Sequence, residues 1–260
     1  MNPSFQAITP GKTTCKCCGG QSPLFGVIDF HKSCPAWRKV FEVSGIPIYY
    51  YRCPECGFIF TTAFDHFTVE DFRRHIYNSD YLLVDPEYQE VRPRENAAFI
   101  AKFFPHLKPG RILDYGCGAG VLGEMLRAAG FSQVDGYDPF VPGRDVKPPH
   151  RYDFIVCFEV LEHSTDPART LGEINDLLTE NGLILFSTLL QPPDIERQGL
   201  NWWYVLPRHA HVSLYSRASI WKLVQPFGFL FGSCDDNLHV MFRTIPDFAK
   251  HIITIKEGSV

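Results

Sequence analysis

The stretch Arg111-Ile-Leu-Asp-Tyr-Gly-Cys-Gly-Ala-Gly120 decides the fold. Its first half has the apolar pattern of a strand, and Val121–Ala129 directly behind it has the pattern of a helix that Gly130 ends. Between the two, glycines at positions 116, 118 and 120 let the backbone turn sharply and approach a ligand closely. The sequence therefore predicts a ligand site at a helix N-terminus, on the carboxyl edge of a sheet.

Strand and helix patterns alternate on the C-terminal side of this loop. We predict further strands at Gln133–Asp138, Tyr152–Glu159, Leu183–Thr188, Phe229–Ser233 and Val240–Thr244, and helices that begin near Arg94, Asp166 and Ser216. This alternation is typical of a mostly parallel α/β sheet with helices on both faces. Because no helix separates the last two strands, we expect one antiparallel strand at the edge of the sheet.

A second element of the ligand site is Asp138, which ends the next predicted strand and lies 22 residues after Gly116. A carboxylate in this place can accept hydrogen bonds from both hydroxyls of a ribose. A dinucleotide fingerprint would put two residues, not one, before its third glycine, and Asp114 would repel a pyrophosphate. A cationic sulfonium with an amino-acid tail has no such conflict, so the pattern favours S-adenosylmethionine over NAD.

At this point the chain resembles the class I S-adenosylmethionine-dependent methyltransferases. The resemblance covers roughly residues 93–245 and depends on the motifs LDYGCGAG, VDGYDP and YDFIVCFEVLEH. It implies a Rossmann-like, seven-stranded sheet, mostly parallel with one antiparallel edge strand. It also implies that a cofactor-binding set holds the methionine end, the ribose and the methyl group: Asp114, Gly116, Gly118, Gly120, Asp138, Phe158 and Glu159.

The cysteines are unevenly distributed, since six of the nine lie in the first quarter of the chain. Cys15 and Cys18 form one C-x-x-C-G unit, and Cys53 and Cys56 form another. Four thiolates in this spacing are typical of a closed, structural Zn²⁺ site, whereas a redox dithiol would lie at a strand-to-helix junction. Cys17 is an alternative ligand within the first unit. We prefer Cys15 and Cys18, because that choice makes the two units match.

These observations divide the chain into three parts. Residues 1–64 form a zinc-ribbon-like β module with its own core, 65–92 a helical connector or lid, and 93–260 the methyltransferase domain. On the connector, Tyr77 and Tyr81 are expected to close over the cofactor. This order of modules further resembles the sugar C-methyltransferases that act on nucleotide-linked deoxysugars.

Candidate catalytic residues follow two predicted strands at the carboxyl edge of the sheet. Glu162 and His163 come after the predicted strand Tyr152–Glu159, and His211 comes after Leu183–Thr188. Methyl transfer from a sulfonium needs a base only where the acceptor must lose a proton, and histidine can take one near neutral pH. We favour His211 as the base, with His163 as its rival; the alternative for both is a structural role at the ends of strands.

Charge and hydropathy limit the partners of the protein. The net charge is −4, with no block of five or six like charges, which argues against neutralisation of nucleic-acid phosphates as the main source of affinity. No apolar stretch approaches the roughly 18 residues of a membrane span, and we expect a cytoplasmic protein. Our leading hypothesis is methylation of a small polar acceptor, most plausibly a sugar or nucleotide sugar. The alternatives are an RNA- or protein-modifying methyltransferase and a non-catalytic scaffold.

Overall fold

A computed structural model of the 260-residue chain describes residues 11–32 and 41–253. Its strands are β1 (Thr13–Thr14), β2 (Gln21–Ser22), β3 (Leu24–Asp29), β4 (Pro47–Arg52), β5 (Ile59–Thr61), β6 (Arg111–Tyr115), β7 (Gln133–Tyr137), β8 (Tyr152–Cys157), β9 (Leu178–Ser187), β10 (Ser213–Leu214), β11 (Leu230–Ser233) and β12 (Leu238–Phe242). Its α-helices are α1 (Val69–His75), α2 (Tyr81–Val84), α3 (Val91–Phe103), α4 (Val121–Ala128), α5 (Pro167–Leu177), α6 (Ile195–Gln198) and α7 (Arg217–Val224). Within these two ranges, no helix is both long and apolar enough to cross a membrane.

The larger sheet has the strand order β11-β12-β9-β8-β6-β7. Strands β6 to β9 pair in parallel, and β12 runs antiparallel to both β9 and β11. The antiparallel strand that the sequence predicts therefore exists, but it lies next to the edge and β11 forms the edge itself. The mostly parallel arrangement brings the carboxyl ends of β6, β7 and β8 together on one side of the sheet.

The prediction of seven strands is wrong, because the larger sheet has six among the residues that the structure describes. The stretch between β7 and β8, residues 138–151, contains turns and bends but neither a helix nor a strand. This stretch is rich in proline and glycine and is too short for a helix followed by a strand. The sheet consequently ends at β7 on this side.

Alternate residues of the central strands pack on opposite faces of the larger sheet, as expected for strands covered by helices on both sides. Phe154 and Val156 of β8 belong to the cluster that includes residues of α3 and α4. Ile155 and Cys157 belong to the cluster that includes residues of α5 and α7. This covering of both faces leaves the strand ends as the place where a ligand can reach the sheet.

The N-terminal segment forms a four-stranded antiparallel sheet with the order β10-β5-β4-β3. Strand β10 comes from the C-terminal part of the chain, and it pairs Ser213 with Phe60 and Leu214 with Ile59. By covering β5, it leaves the three residues of that short strand buried rather than at a free edge. The sheet therefore contains strands from both the N-terminal module and the domain.

The N-terminal module does not have the separate core that the sequence predicts, because β10 joins it to the C-terminal part of the chain. Cys53, Phe58 and Phe60 belong to one hydrophobic cluster with Leu171 and Tyr215 of the C-terminal part. The Phe58 and Tyr215 rings lie 5.1 Å apart. Residues of the N-terminal segment and of the C-terminal part thus share a continuous core, and we expect them to unfold together.

The connector begins as the sequence predicts. The Thr68 hydroxyl accepts a hydrogen bond from the backbone of Asp71 at 3.2 Å, and the Asp71 carboxylate accepts one from the backbone of Thr68 at 2.8 Å. This capping box starts α1. Phe72, Ile76 and Tyr81 then pack in a cluster with residues of the N-terminal sheet. This cluster holds the connector beside the carboxyl edge of the larger sheet.

Candidate functional site

The glycine loop that follows β6 adopts a backbone conformation that side chains disfavour. The φ angles of Gly116, Gly118 and Gly120 are +83°, +50° and +83°. A Cβ on Gly116 would lie 2.3 Å from a methyl carbon of Val160, whereas one on Gly118 would meet open space. The loop therefore packs closely on one side and leaves room for a ligand on the other. The geometry of the glycine loop is therefore compatible with a bound cofactor.

Asp138 is held against this loop by backbone hydrogen bonds. One carboxylate oxygen accepts from the Gly118 N–H at 2.9 Å, and the other accepts from the Phe140 N–H at 2.8 Å. Each oxygen keeps a further lone pair that a ribose hydroxyl can use. The side chain lines the cavity described below, in the place where the sequence predicts it.

Asp114 lies behind the loop as a second buried carboxyl group, 4% exposed. Burial, and then the nearby Asp138 carboxylate, raises the pKa of Asp114 to about 7, against the opposing effect of Arg144. A cationic ligand would favour the ionised form of such a group. The chemistry of this acidic pair thus fits the charged methionine end of S-adenosylmethionine.

A cavity of about 660 Å³ opens beside these residues, within the range of small-molecule sites. The carboxyl ends of β6, β7 and β8 form one wall and the connector forms another. Of the residues predicted to bind cofactor or act as bases, those on the cavity wall are Tyr77, Tyr81, Asp114, Gly116, Gly118, Asp138, Phe158, Glu159 and His163. Gly120 lies at the start of α4, next to the Arg144 side chain.

Tyr77 and Tyr81 face the cavity from the connector, as the predicted lid would. Their rings lie 5.2 Å apart, and the Tyr77 ring lies 5.1 Å from the ring of Phe140, which follows Asp138. The aromatic side chains therefore cover the end of the cavity where the ribose is predicted to bind. This arrangement separates the cavity from solvent on the connector side.

The carboxylate of Glu159 is bound by Ser187 and by Arg92, and no sequence motif indicates the contact with Arg92. Its backbone has a φ angle of +54°, and its carboxylate accepts hydrogen bonds from Ser187 at 2.8 Å and from Arg92 at 3.0 Å. Arg92 also forms an ion pair with Asp85 on the connector. Arg92 was missed because its partners lie far apart in sequence, and no motif spacing relates them. The arginine ties the connector to the end of β8.

The three predicted bases come together, but only one of them lies on the cavity wall. His163 lines the cavity, whereas Glu162 and His211 are buried behind it. The His163 and His211 rings lie 5.1 Å apart. The Tyr204 hydroxyl donates a hydrogen bond to Glu162, and the His211 Nδ1 donates one to the Tyr204 carbonyl at 2.8 Å. His163 is thus better placed than His211 to contact an acceptor.

Burial makes these groups uncharged near neutral pH. Burial, and then the Glu159 carboxylate, raises the pKa of Glu162 to about 8. Burial lowers the pKa of His163 to about 4, and burial together with His163 lowers the pKa of His211 further below its ordinary value. A histidine with so low a pKa is a weaker proton acceptor than a histidine with the ordinary pKa.

The four predicted zinc ligands also come together. The Cys15 and Cys56 sulfurs lie 3.6 Å apart, and the Cys18 and Cys53 sulfurs lie 3.4 Å apart. These distances are close to the edge of a tetrahedron with bonds of 2.3 Å, which is about 3.8 Å. Cys17 donates its backbone N–H to Cys15 and lies outside the group of four. The donor set fits Zn²⁺.

Comparisons with known proteins agree with this geometry. A family model described as a methyltransferase domain matches residues 88–230. Ubiquinone biosynthesis O-methyltransferase of Nitrosospira multiformis is 30% identical over 106 residues, which cover 32% of this chain and 44% of that protein. The enzyme of the same name from Aromatoleum aromaticum is 33% identical over 103 residues, which cover 30% and 44%. The chain thus matches less than half the length of these curated relatives.

Among solved structures, the 1,6-didemethyltoxoflavin-N1-methyltransferase of Burkholderia thailandensis has 16% sequence identity and a TM-score of 0.49. The alignment covers 77% of this chain and 96% of that one. Magnesium protoporphyrin IX methyltransferase of Synechocystis has 18% identity and a TM-score of 0.46, with coverage of 70% and 97%.

The raised pKa of Asp114 predicts how cofactor affinity depends on pH. Asp114 gains its charge as the pH rises through about 7, so a cationic ligand should bind more tightly above that pH. We expect the Kd of S-adenosylmethionine to fall about tenfold between about pH 6 and pH 8, measured by calorimetry. Asp114→Asn should abolish this dependence, whereas Asp135→Asn, on the neighbouring strand β7, should keep it. A slope that persists in Asp114→Asn would contradict the assignment.

Proposed function

Because the chain belongs to the methyltransferase-domain family, whose model spans residues 88–230, we propose that it is an S-adenosylmethionine-dependent methyltransferase with a small-molecule acceptor. The observation that carries this proposal is the cavity at the carboxyl edge of the sheet. In it, Asp138 is bound to the glycine loop with free lone pairs for a ribose, and Asp114 supplies negative charge for a cationic cofactor. S-adenosylmethionine supplies an activated methyl group when it is bound.

The remaining task of the protein is to align the acceptor with the methyl group, since the sulfonium is already reactive. In this proposal, the glycine loop and Asp138 fix the cofactor, and Tyr77 and Tyr81 exclude water from above. Phe158 and Glu159 line the cavity at the end of β8, beside His163. His163 contacts the acceptor, and Glu162 and His211 hold His163 from behind.

The aromatic side chains of the connector form one wall of the cavity, and this favours a small acceptor over a macromolecule. Polar side chains of Gln89, Asn96 and Asp166 lie on the cavity wall, where they can bind hydroxyl groups. We therefore propose a hydroxyl-rich acceptor such as a sugar or nucleotide sugar. The resemblance of the module order to sugar C-methyltransferases supports the same acceptor class. The curated relatives carry a different name, ubiquinone biosynthesis O-methyltransferase, which makes polyhydroxylated aromatic acceptors the first comparison in an assay.

We further propose that the four-cysteine cluster holds one structural Zn²⁺ per chain. Four thiolates leave no open coordination position, which is typical of a structural and not a catalytic ion. The ion would stabilise the β4–β5 segment, and the Ser216 hydroxyl donates a hydrogen bond to the Cys56 carbonyl at 2.5 Å. The metal site is thereby connected to the loop that precedes α7.

The first test is cofactor binding and methyl transfer. Asp138→Ala removes a hydrogen-bonded carboxylate, and the loss is worth about 1.5–3 kcal/mol, or about 10- to 150-fold in the Kd of S-adenosylmethionine. We expect wild-type protein to release S-adenosylhomocysteine with one acceptor from a panel of nucleotide sugars and polyphenols. Asp135→Asn is the control of similar charge change. Unchanged affinity in a folded Asp138→Ala protein would contradict the ribose assignment.

The second test concerns the cysteines. Because the module and the domain share a core, Cys53→Ser should lower the stability of the whole chain in one transition, seen alike by circular dichroism and tryptophan fluorescence. Metal analysis should find about one zinc per wild-type chain and less in the variant. Replacement of Cys234, which is exposed and does not belong to the group of four, is the control. Zinc-free wild-type protein, purified under reducing conditions, would refute the metal proposal.

A further inference from the structure

Glu162, His163 and His211 form a second cluster of metal-ligating side chains, distinct from the cysteines. Each residue can offer one ligand atom such that the three atoms lie within 4.8 Å of one another. Glu162 and His163 lie on the turn after β8, and His211 lies just before β10. The cluster is therefore assembled by the pairing of β10 with the N-terminal sheet and not by a local motif.

Two atoms of this cluster are buried without a hydrogen-bond partner in the described part of the chain: Oε2 of Glu162 and Nδ1 of His163. A buried polar atom left without a partner is destabilising. Two neighbouring lone pairs become compatible when a proton, as on the Glu162 carboxyl group, or a cation lies between them. The cluster can therefore bind a cation in place of that proton.

The surrounding hydrogen bonds orient the same groups as ligands. His211 donates from Nδ1 to the Tyr204 carbonyl at 2.8 Å, which places the lone pair of a neutral ring on Nε2. Metal-bound histidines commonly donate their other nitrogen to a carbonyl or carboxylate in this way. Tyr204 also donates to Oε1 of Glu162, whereas Oε2 has no hydrogen-bond partner among the described residues. The buried Thr188 hydroxyl, which also has no such partner, lies near the same carboxylate.

We propose that Glu162, His163 and His211 bind a divalent transition-metal ion at the acceptor side of the cavity. Two imidazoles and one carboxylate favour ions such as Zn²⁺, Fe²⁺ or Co²⁺ over Ca²⁺, which takes oxygen ligands. Tetrahedral bonds of 2.0–2.1 Å would place the ligand atoms about 3.3 Å apart, so binding would shorten the present separations of up to 4.8 Å. The ion would bind the lone pairs of Glu162, His163 and His211 that would otherwise accept a proton.

Three protein ligands leave at least one coordination position open. Because His163 lines the cavity, this position faces the acceptor, where it would bind a hydroxyl or other oxygen atom. This last step rests on the proposed function, whereas cation binding itself does not. The site would therefore bind a transition-metal ion, and that ion would bind an oxygen atom of the acceptor.

The test is a cobalt titration of the full chain. Protein is stripped with a chelator and given one equivalent of Zn²⁺, which thiolates prefer to Co²⁺, and Co²⁺ binding is then followed by calorimetry and absorption. We expect one further Co²⁺ per chain with visible d–d bands but no thiolate-to-cobalt charge-transfer band. Glu162→Gln and His211→Gln should each raise the Kd of Co²⁺ by at least about tenfold. His239→Gln is the matched control, since both ring nitrogens of that buried histidine are already hydrogen-bonded.

The proposal is wrong if wild-type protein binds no further Co²⁺, if the only band is of the thiolate type, or if both variants bind Co²⁺ as tightly as the wild type. Should the variants fail to fold, the stoichiometry and spectrum of the wild type still decide. The Kd of S-adenosylmethionine, measured on the same samples, reports separately on the proposed function. Lost cofactor binding with intact Co²⁺ binding would therefore count against the methyltransferase proposal alone.

Discussion

The antiparallel pairing of β5 with β10 is the constraint on which the rest of the structure depends. Strand β10 is only two residues long, yet it joins the cysteine module to the sheet that carries the cavity. The backbone of Val212 links both sides, because its carbonyl accepts from Thr61 at 3.0 Å and its N–H donates to the Glu162 carbonyl at 2.9 Å. Without this pairing, His211 would have no fixed position relative to His163.

The pairing also explains why so many polar groups are buried beside the cavity. Tyr50 donates to the His211 carbonyl at 2.7 Å, so a side chain of the N-terminal sheet fixes the loop that bears the histidine. Tyr204 binds Glu162 through its hydroxyl and His211 through its carbonyl. Hydrogen bonds in a buried network of this kind restrict the orientation of the side chains that make them. The cysteine module is therefore part of the scaffold of the site and not an appendage to it.

Much of the cofactor side could be predicted from the sequence, because its parts are local. The glycine loop and Asp138 each follow a strand whose apolar pattern is clear, and parallel strands end on the same edge. The acceptor side depends instead on contacts between residues distant in sequence. The pairing of β10 determines that His211 lies behind His163, which lines the cavity. The fold of the connector places Arg92 beside Asp85 and Glu159. The count of seven strands failed because it came from the resemblance, although the short stretch 138–151 leaves no room for another helix and strand.

Methyl transfer is proposed to occur in the cavity at the ends of β6, β7 and β8. The most direct measurement is an experimental structure of the full chain with S-adenosylhomocysteine bound. We predict ribose hydroxyls within hydrogen-bond distance of Asp138, the amino-acid end beside the 116–120 loop, and the sulfur directed toward His163. A ligand bound away from the glycine loop, or a sulfur directed away from His163, would contradict the account.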